Sequence, residues 1–256
     1  MTNEELLKKI EALEGQVEAL QKEVKYQSYY TDMMEIQQLM ARYIYILETG
    51  GGEAMARVWD ELFVHDDERV RLEVGDSGAY IGTEHVKRAF YTMANKVDMD
   101  GNPVDPAAKK GQLSQTNRDR AALLLMLTIS TPCVVVDPDG QHARGHWHLF
   151  GPHTNRVFDA ECGQKKDTAF WIAGKYDNEF VKVDGQWKFL KLRPIFWLRT
   201  PYHKSSLECP DCRRTPSPYW PPDEPARISS FNPDEGPNPD KWGPFLVDAY
   251  DYHEYL

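Results

Sequence analysis

The chain opens on a heptad rhythm. Leu6, Leu13 and Leu20 recur at one position, and Ile10, Val17 and Val24 at another, with charged residues between them. Branched residues at a with leucine at d favour a parallel two-stranded coil, so residues 4–25 predict an amphipathic helix and a homodimer. Three heptads alone are marginal, and the same helix could instead lie on its own domain.

The pattern then changes. MMEIQQLMARYIYIL carries a helical apolar stripe that the glycines at 50–52 end. EAMARVWDELF predicts a second helix, RVRLEV a strand and GTEHVKRAFYTMANKV a third helix. Residues 97–120 are polar and rich in Gly, Pro, Lys and Asp, as an inserted loop would be. Strands follow: LLMLTISTPCVVV, HARGHWHLF, FWIAGKYDNEFVKV and QWKFLKLRPIFWL. Helices first and antiparallel strands after them is an α+β order, with helices on one face of a sheet.

Three regions result: a heptad helix (1–31), a body (32–200) and a proline-dense tail (201–256). The tail also holds Tyr202, Tyr219, Trp220, Phe231, Trp242 and Phe245. Such side chains are costly to leave wet. The tail therefore reads as an extended arm that wraps its own domain or a partner subunit.

Composition narrows the function classes. At 256 residues, 41% hydrophobic and 12% aromatic, the chain can bury a proper core. A formal charge of −10 argues against a nucleic-acid binder and against anionic membrane surfaces. No apolar run approaches the roughly 18 residues of a membrane helix, and MTNEELLKKIEALEG is no signal peptide, so a cytoplasmic protein is expected. Cys133 and Cys162 stand alone; Cys209 and Cys212 form CPDC, half a zinc site, with His203 a conceivable third ligand. Free thiols and no metal are the expectation. No GxGxxG or P-loop is present, so no cofactor is expected either.

IQQLMARYIYILETG, WDELFVHD, GAYIGTEHVKRAF and above all YDNEFVKVDGQWKFLKLR resemble the nuclear-transport-factor-2-like superfamily, in its SnoaL-like polyketide cyclase/dehydratase branch. The resemblance covers residues 33–200. It implies a cone: a curved antiparallel sheet wrapped on three helices, with a mostly apolar pocket at the open end. In the branch's bile-acid and scytalone dehydratases the helix tyrosine corresponds to Tyr43, and an acid one turn on lies near Glu48. Their strand histidine and acid fall at Ser130 and near Gly151 here, so that His–Asp pair is missing from those places. In length and in its aromatic-rich arm the chain is also similar to the lignin diarylpropane γ-formaldehyde lyases. That likeness implies aryl-propanediol dimers as substrates, losing formaldehyde and water to give a stilbene. A dehydratase or isomerase of a steroid or polyketide is the alternative on the same scaffold, and a non-catalytic binding or scaffold module is the alternative from another class.

Candidate chemistry concentrates on two strands and one helix. With Asp184-Gly185 as a two-residue turn, Tyr176 falls opposite Arg193, Asn178 opposite Lys191 and Phe180 opposite Phe189. Asp177 then shares the other face with Val181, Leu190 and Leu192, where an acid is costly unless that face is wet. Arg193 could hold a developing oxyanion. Tyr43 continues the inward series Ile36, Leu39 and Met40, and a buried phenol needs a partner. His146 and His148 share one strand face, with Trp147 on the other as a wall for an aromatic ring. His148 or Tyr43 would act as the acid, and Asp177 or Glu48 as the base. Tyr176, Tyr80, Trp147, Trp197, Asn178 and His146 would bind the substrate. Lys175 is a further candidate, as an amine beside a pocket.

Overall fold

The computed structural model describes residues 2–49, 54–74, 78–93, 126–159, 164–202 and Asp223. One helix, α1 (Asn3–Thr49), runs through both N-terminal patterns and passes residue 31 without a break. Its heptad residues stay wet, with Leu20 60% and Val24 63% exposed. Val17, Leu20 and Val24 border an open groove of about 960 Å³ against the turn Val135–Gly140, so this half of α1 is not laid on the body. Farther along, Asp32 fixes the helix to the sheet: its Oδ1 accepts Trp187 Nε1 at 3.0 Å and Lys182 Nζ at 2.5 Å. Beyond it Ile36, Met40, Tyr43, Ile44 and Ile46 are buried.

An exposed a/d stripe is stable only when paired. We expect light scattering to give a dimer for the full chain and a monomer for Leu13→Lys combined with Leu20→Lys. A monomeric wild type at micromolar concentration would remove the coil.

Helix α2 (Ala54–Leu62) packs beside α1, and α3 (Thr83–Met93) packs on α2 through rings. Trp59, Phe63 and Phe90 form a cluster that reaches Phe189 of the sheet, with Phe63 and Phe189 centroids 5.5 Å apart. The strands are β1 (Arg71–Val74), β2 (Gly78–Ile81), β3 (Thr128–Val136), β4 (His142–Asp159), β5 (Gln164–Val183), β6 (Gln186–Leu192) and β7 (Pro194–Pro201). They join in the order β2-β1-β6-β5-β4-β3, with β7 also on β5. The expected α+β cone is the observed architecture, and its sheet is mixed because β1 runs parallel to β6. Strand β2 was not anticipated; it is four residues long and gives little periodic signal. The expected loop at 97–120, Cys162, the CPDC cysteines and His203 lie outside the described residues.

The β5–β6 hairpin corrects the predicted register. Its turn is as expected, with Asp184 and Gly185 both at positive φ, and Phe180 does face Phe189. A bulge then intervenes: Lys191 pairs with Glu179, not Asn178, and Tyr176 pairs with Pro194 of β7, not Arg193. One extra residue on β6, at Leu190, shifts everything beyond it. Leu192 consequently turns inward to the core cluster instead of joining Asp177.

Beyond Tyr202, whose N–H donates to Ala169 O at 3.1 Å, one further described residue of the arm touches the body. Asp223 N–H donates to Ala79 O at 2.9 Å, its Oδ2 accepts Ile81 N–H at 2.8 Å, and its Oδ1 meets His85 Nδ1 at 2.6 Å. These bonds occupy the open edge of β2, which would otherwise present unpaired backbone groups. Among the described residues no helix is long and apolar enough to cross a membrane.

Candidate active site

Alternation along β4 and β5 divides the candidate residues between the two faces of one sheet. Trp147, Tyr176 and Asn178 turn inward to the helices; His146, His148, Lys175 and Asp177 turn outward.

The inner face is built around two phenols. Tyr43 comes from α1 and Tyr176 from β5, ring centroids 5.8 Å apart and nearly perpendicular. Both are buried, and each is the other's hydrogen-bond partner. Burial pushes the Tyr43 phenol up to about 12, while the hydrogen bond from Tyr176 pulls against that rise. Burial first, then the neighbouring Tyr43, holds Tyr176 well above the ordinary phenol range. Both groups therefore keep their protons at any physiological pH.

Around the pair, Asn178 is fixed on both sides: its Oδ1 accepts Arg193 N–H at 3.0 Å and its Nδ2 reaches Met40 Sδ at 3.4 Å. The Trp147 indole lies over Gly145, where an added Cβ would come within 2.4 Å of the ring. Only glycine leaves that wall its place. Glu48, near the end of α1, accepts Leu127 N–H on Oε1 at 2.9 Å. Tyr80 is buried in the same core but on β2, and burial followed by the Asp223 carboxylate raises its phenol. The Trp197 side chain lies outside the described residues.

The outer face holds the titratable side chains. Asp177 Oδ1 accepts His146 Nδ1 at 2.8 Å, and Lys175 Nζ stands 2.7 Å from Oδ2 as an ion pair without an aligned hydrogen bond. Lys175 is 4% and Asp177 1% exposed. Burial alone would raise the Asp177 carboxyl, but the His146 hydrogen bond and Lys175 outweigh it and hold it below its usual range. A carboxylate can only accept, so neutral His146 carries its proton on Nδ1 and its lone pair on Nε2.

His148 stands edge-on to His146, ring centroids 5.1 Å apart, and its Nδ1 is hydrogen-bonded to Thr131 Oγ1. Thr131 sits in a register shift of β3 with φ +48°. A β-branched residue in that region costs on the order of 1–3 kcal/mol. The bulge turns its hydroxyl onto the imidazole. The sequence did carry a sign of it, since Pro132 inside a strand pattern marks a bulge.

Arg193 also belongs outside. Its Nε pairs with Glu73 Oε2 at 3.2 Å, and Glu73 is shared with Arg71 and Lys191. The predicted Tyr176–Arg193 partnership is therefore replaced by Tyr176–Tyr43 within the cone and Arg193–Glu73 on the outer face. Glu73, Thr131 and the Met40–Asn178 contact were missed, because each depends on a neighbour remote in sequence. His142 is engaged locally, by Asp139 at 2.7 Å.

Several solved structures are similar. A candidate scytalone dehydratase from Novosphingobium aromaticivorans has 18% identity and a TM-score of 0.45, over 75% of this chain and 97% of that one. A hexachlorocyclohexane dehydrochlorinase, LinA-type3, from Novosphingobium barchaimii has 16% identity and a TM-score of 0.42, over 70% and 95%. A nuclear-transport-factor-2-like superfamily protein from Salmonella enterica has 15% identity and a TM-score of 0.39, over 69% and 98%. No curated protein matches the sequence. The family model of the SnoaL-like domain matches residues 28–193.

Proposed function

This chain belongs to the SnoaL-like domain family, and on that premise we propose that it is a cofactor-independent lyase working on the inner face of its sheet. The observation that carries the reading is the Tyr43–Tyr176 pair, two buried phenols whose rings meet edge-on, 5.8 Å apart, between α1 and β5. Tyr176 donates to Tyr43 and so polarises the Tyr43 O–H toward whatever oxygen lies beyond it. A leaving hydroxide is a far stronger base than a phenolate, so even a phenol near 12 gives up its proton downhill as the carbon–oxygen bond breaks. Glu48 lies five residues along α1, about 7.5 Å up the axis. Its Oε1 is held by Leu127 N–H, and it serves as the base.

The substrate class is an aromatic propanediol dimer, its ring against Trp147. Tyr43 protonates the departing benzylic hydroxyl, which leaves as water. Glu48 takes the proton of the terminal hydroxyl, whose oxygen electrons close the formaldehyde carbonyl. The carbon–carbon bond supplies the new double bond of the stilbene. Solvent then moves the proton from Glu48 back to Tyr43. A dehydratase uses the same two groups, with Glu48 removing a proton from carbon instead.

The test is a coupled assay on purified protein with a panel of lignin-type diaryl-propanediols, following stilbene fluorescence and free formaldehyde together. Equal amounts of both are expected. Water loss without formaldehyde would assign the dehydratase. Silence on this panel and on steroid and polyketide substrates would sink the enzyme and leave a binding module.

A further inference from the structure

The outer face carries a second feature that the cone chemistry does not use. Phe150 of β4, Trp171 of β5 and Tyr202 just past β7 stack in a ladder across three adjacent strands. Phe150 and Trp171 are 5.4 Å apart and 8° from parallel; Trp171 and Tyr202 are 4.8 Å apart and 30° from parallel. All three are wet, 52%, 39% and 43% exposed, and Met126 beside them is exposed too. A soluble surface rarely shows such a patch without a use. The ladder spacing is that of neighbouring strands, about 4.8 Å. On the next strand, β3, the residue opposite Phe150 is Thr128, small and exposed. A fourth ring is missing there.

The same row of the sheet becomes polar one pair farther along. Ser130 faces His148, and after the bulge Cys133 faces His146. His148 precedes Phe150 by two residues, about 6.7 Å along the strand. A phenol's own reach plus an ordinary hydrogen bond spans about 5.5 Å from its ring centre. A ring laid over Thr128 against Phe150 thus brings a hydroxyl to the imidazole row that Thr131 and Asp177 hold in place.

We propose that this slot, floored by Thr128, walled by Phe150 and ended by His148 and His146, is a binding site for a planar hydroxylated aromatic ring. It is separate from the cone and stands whether or not the cone is a lyase. Stacking supplies the affinity for a flat ring, and the imidazoles select one that carries a hydroxyl donor over one that does not.

The probe is 2-naphthol, titrated by its own fluorescence against the full chain, with 2-methoxynaphthalene as the ligand lacking a donor. Saturable binding is expected, about tenfold weaker for the methoxy compound. Thr128→Trp, which fills the slot, and Phe150→Ala, which removes the wall, should each weaken 2-naphthol about tenfold. Both positions are exposed, so the fold should survive, and circular dichroism checks that it does. Tyr43→Phe should leave the affinity within twofold. Binding that ignores Thr128→Trp and Phe150→Ala, or is lost in Tyr43→Phe, would put the ring in the cone and overturn the site. So would the absence of saturation up to the solubility of the probe. A change of mass in solution for Thr128→Trp with unaltered naphthol affinity would also overturn it, since the face would then hold a second copy of the chain.

Discussion

Tyr43→Phe is expected to lower turnover about 10²- to 10⁴-fold, the usual contribution of a positioned general acid. It should also destabilise the fold. Tyr176 loses its partner in a buried place, and an orphaned buried hydroxyl costs about 1–3 kcal/mol. Tyr176→Phe does the reverse, orphaning Tyr43, and its effect on turnover should be smaller because Tyr176 only polarises the donor. The double variant separates packing from chemistry. With both hydroxyls gone nothing is orphaned, so denaturant midpoints should return close to wild type, whereas turnover should stay as low as in Tyr43→Phe. A double variant that regains both stability and turnover would make the pair a core contact, and the lyase would lose its acid. A change confined to KM would likewise reduce Tyr43 to a binding group.

What the sequence disclosed follows from how far each signal reaches along the chain. Helical periodicity placed α1, α2 and α3, and alternation placed β3 to β6, because those patterns are written within ten or so neighbouring residues. The inward aim of Tyr43 followed from Ile36, Leu39 and Met40. The opposition of Trp147 to His146 and His148 followed from the strand period of two. Pairing across strands was less legible. The bulge at Leu190 has no local sequence mark, and one residue of slip moved Arg193 away from Tyr176. The assignment of faces suffered most. Reading Tyr43, His148, Asp177 and Arg193 as one site required all four to converge, yet successive residues of a strand point to opposite faces, and the other three share the outer face while Tyr43 lies inside. Asp177 among aliphatics looked like a residue needing a wet pocket. Its actual partners, His146 one strand over and Lys175 two residues back, resolve the cost without one. The Phe150–Trp171–Tyr202 ladder was hidden for a similar reason, since its members come from strands as far as 52 positions apart.

Asp177→Asn should be the most destabilising single change on the outer face, by about 3–5 kcal/mol, the typical cost of breaking a buried ion pair from one side. It removes the charge 2.7 Å from the buried Lys175 amine and leaves His146 a neutral amide oxygen in place of its charged acceptor. The pH dependence gives the direction a sign. The folded Asp177 carboxyl lies below its ordinary value, so the unfolded chain binds the proton more tightly than the native one. Its stabilisation is therefore complete above the unfolded value, about 3.9, and is lost as pH falls through that point toward the lower folded value. Wild type and variant should accordingly differ most near neutrality and converge in acid, with the acid limb of the wild-type stability curve flattened in Asp177→Asn. Urea midpoints measured from pH 7 down to pH 3 read both effects. A gap that stayed constant over that range would mean that Asp177 acts through packing and not through its charge. In that case the imidazole pair would lose the electrostatic anchor that holds it facing the ring slot.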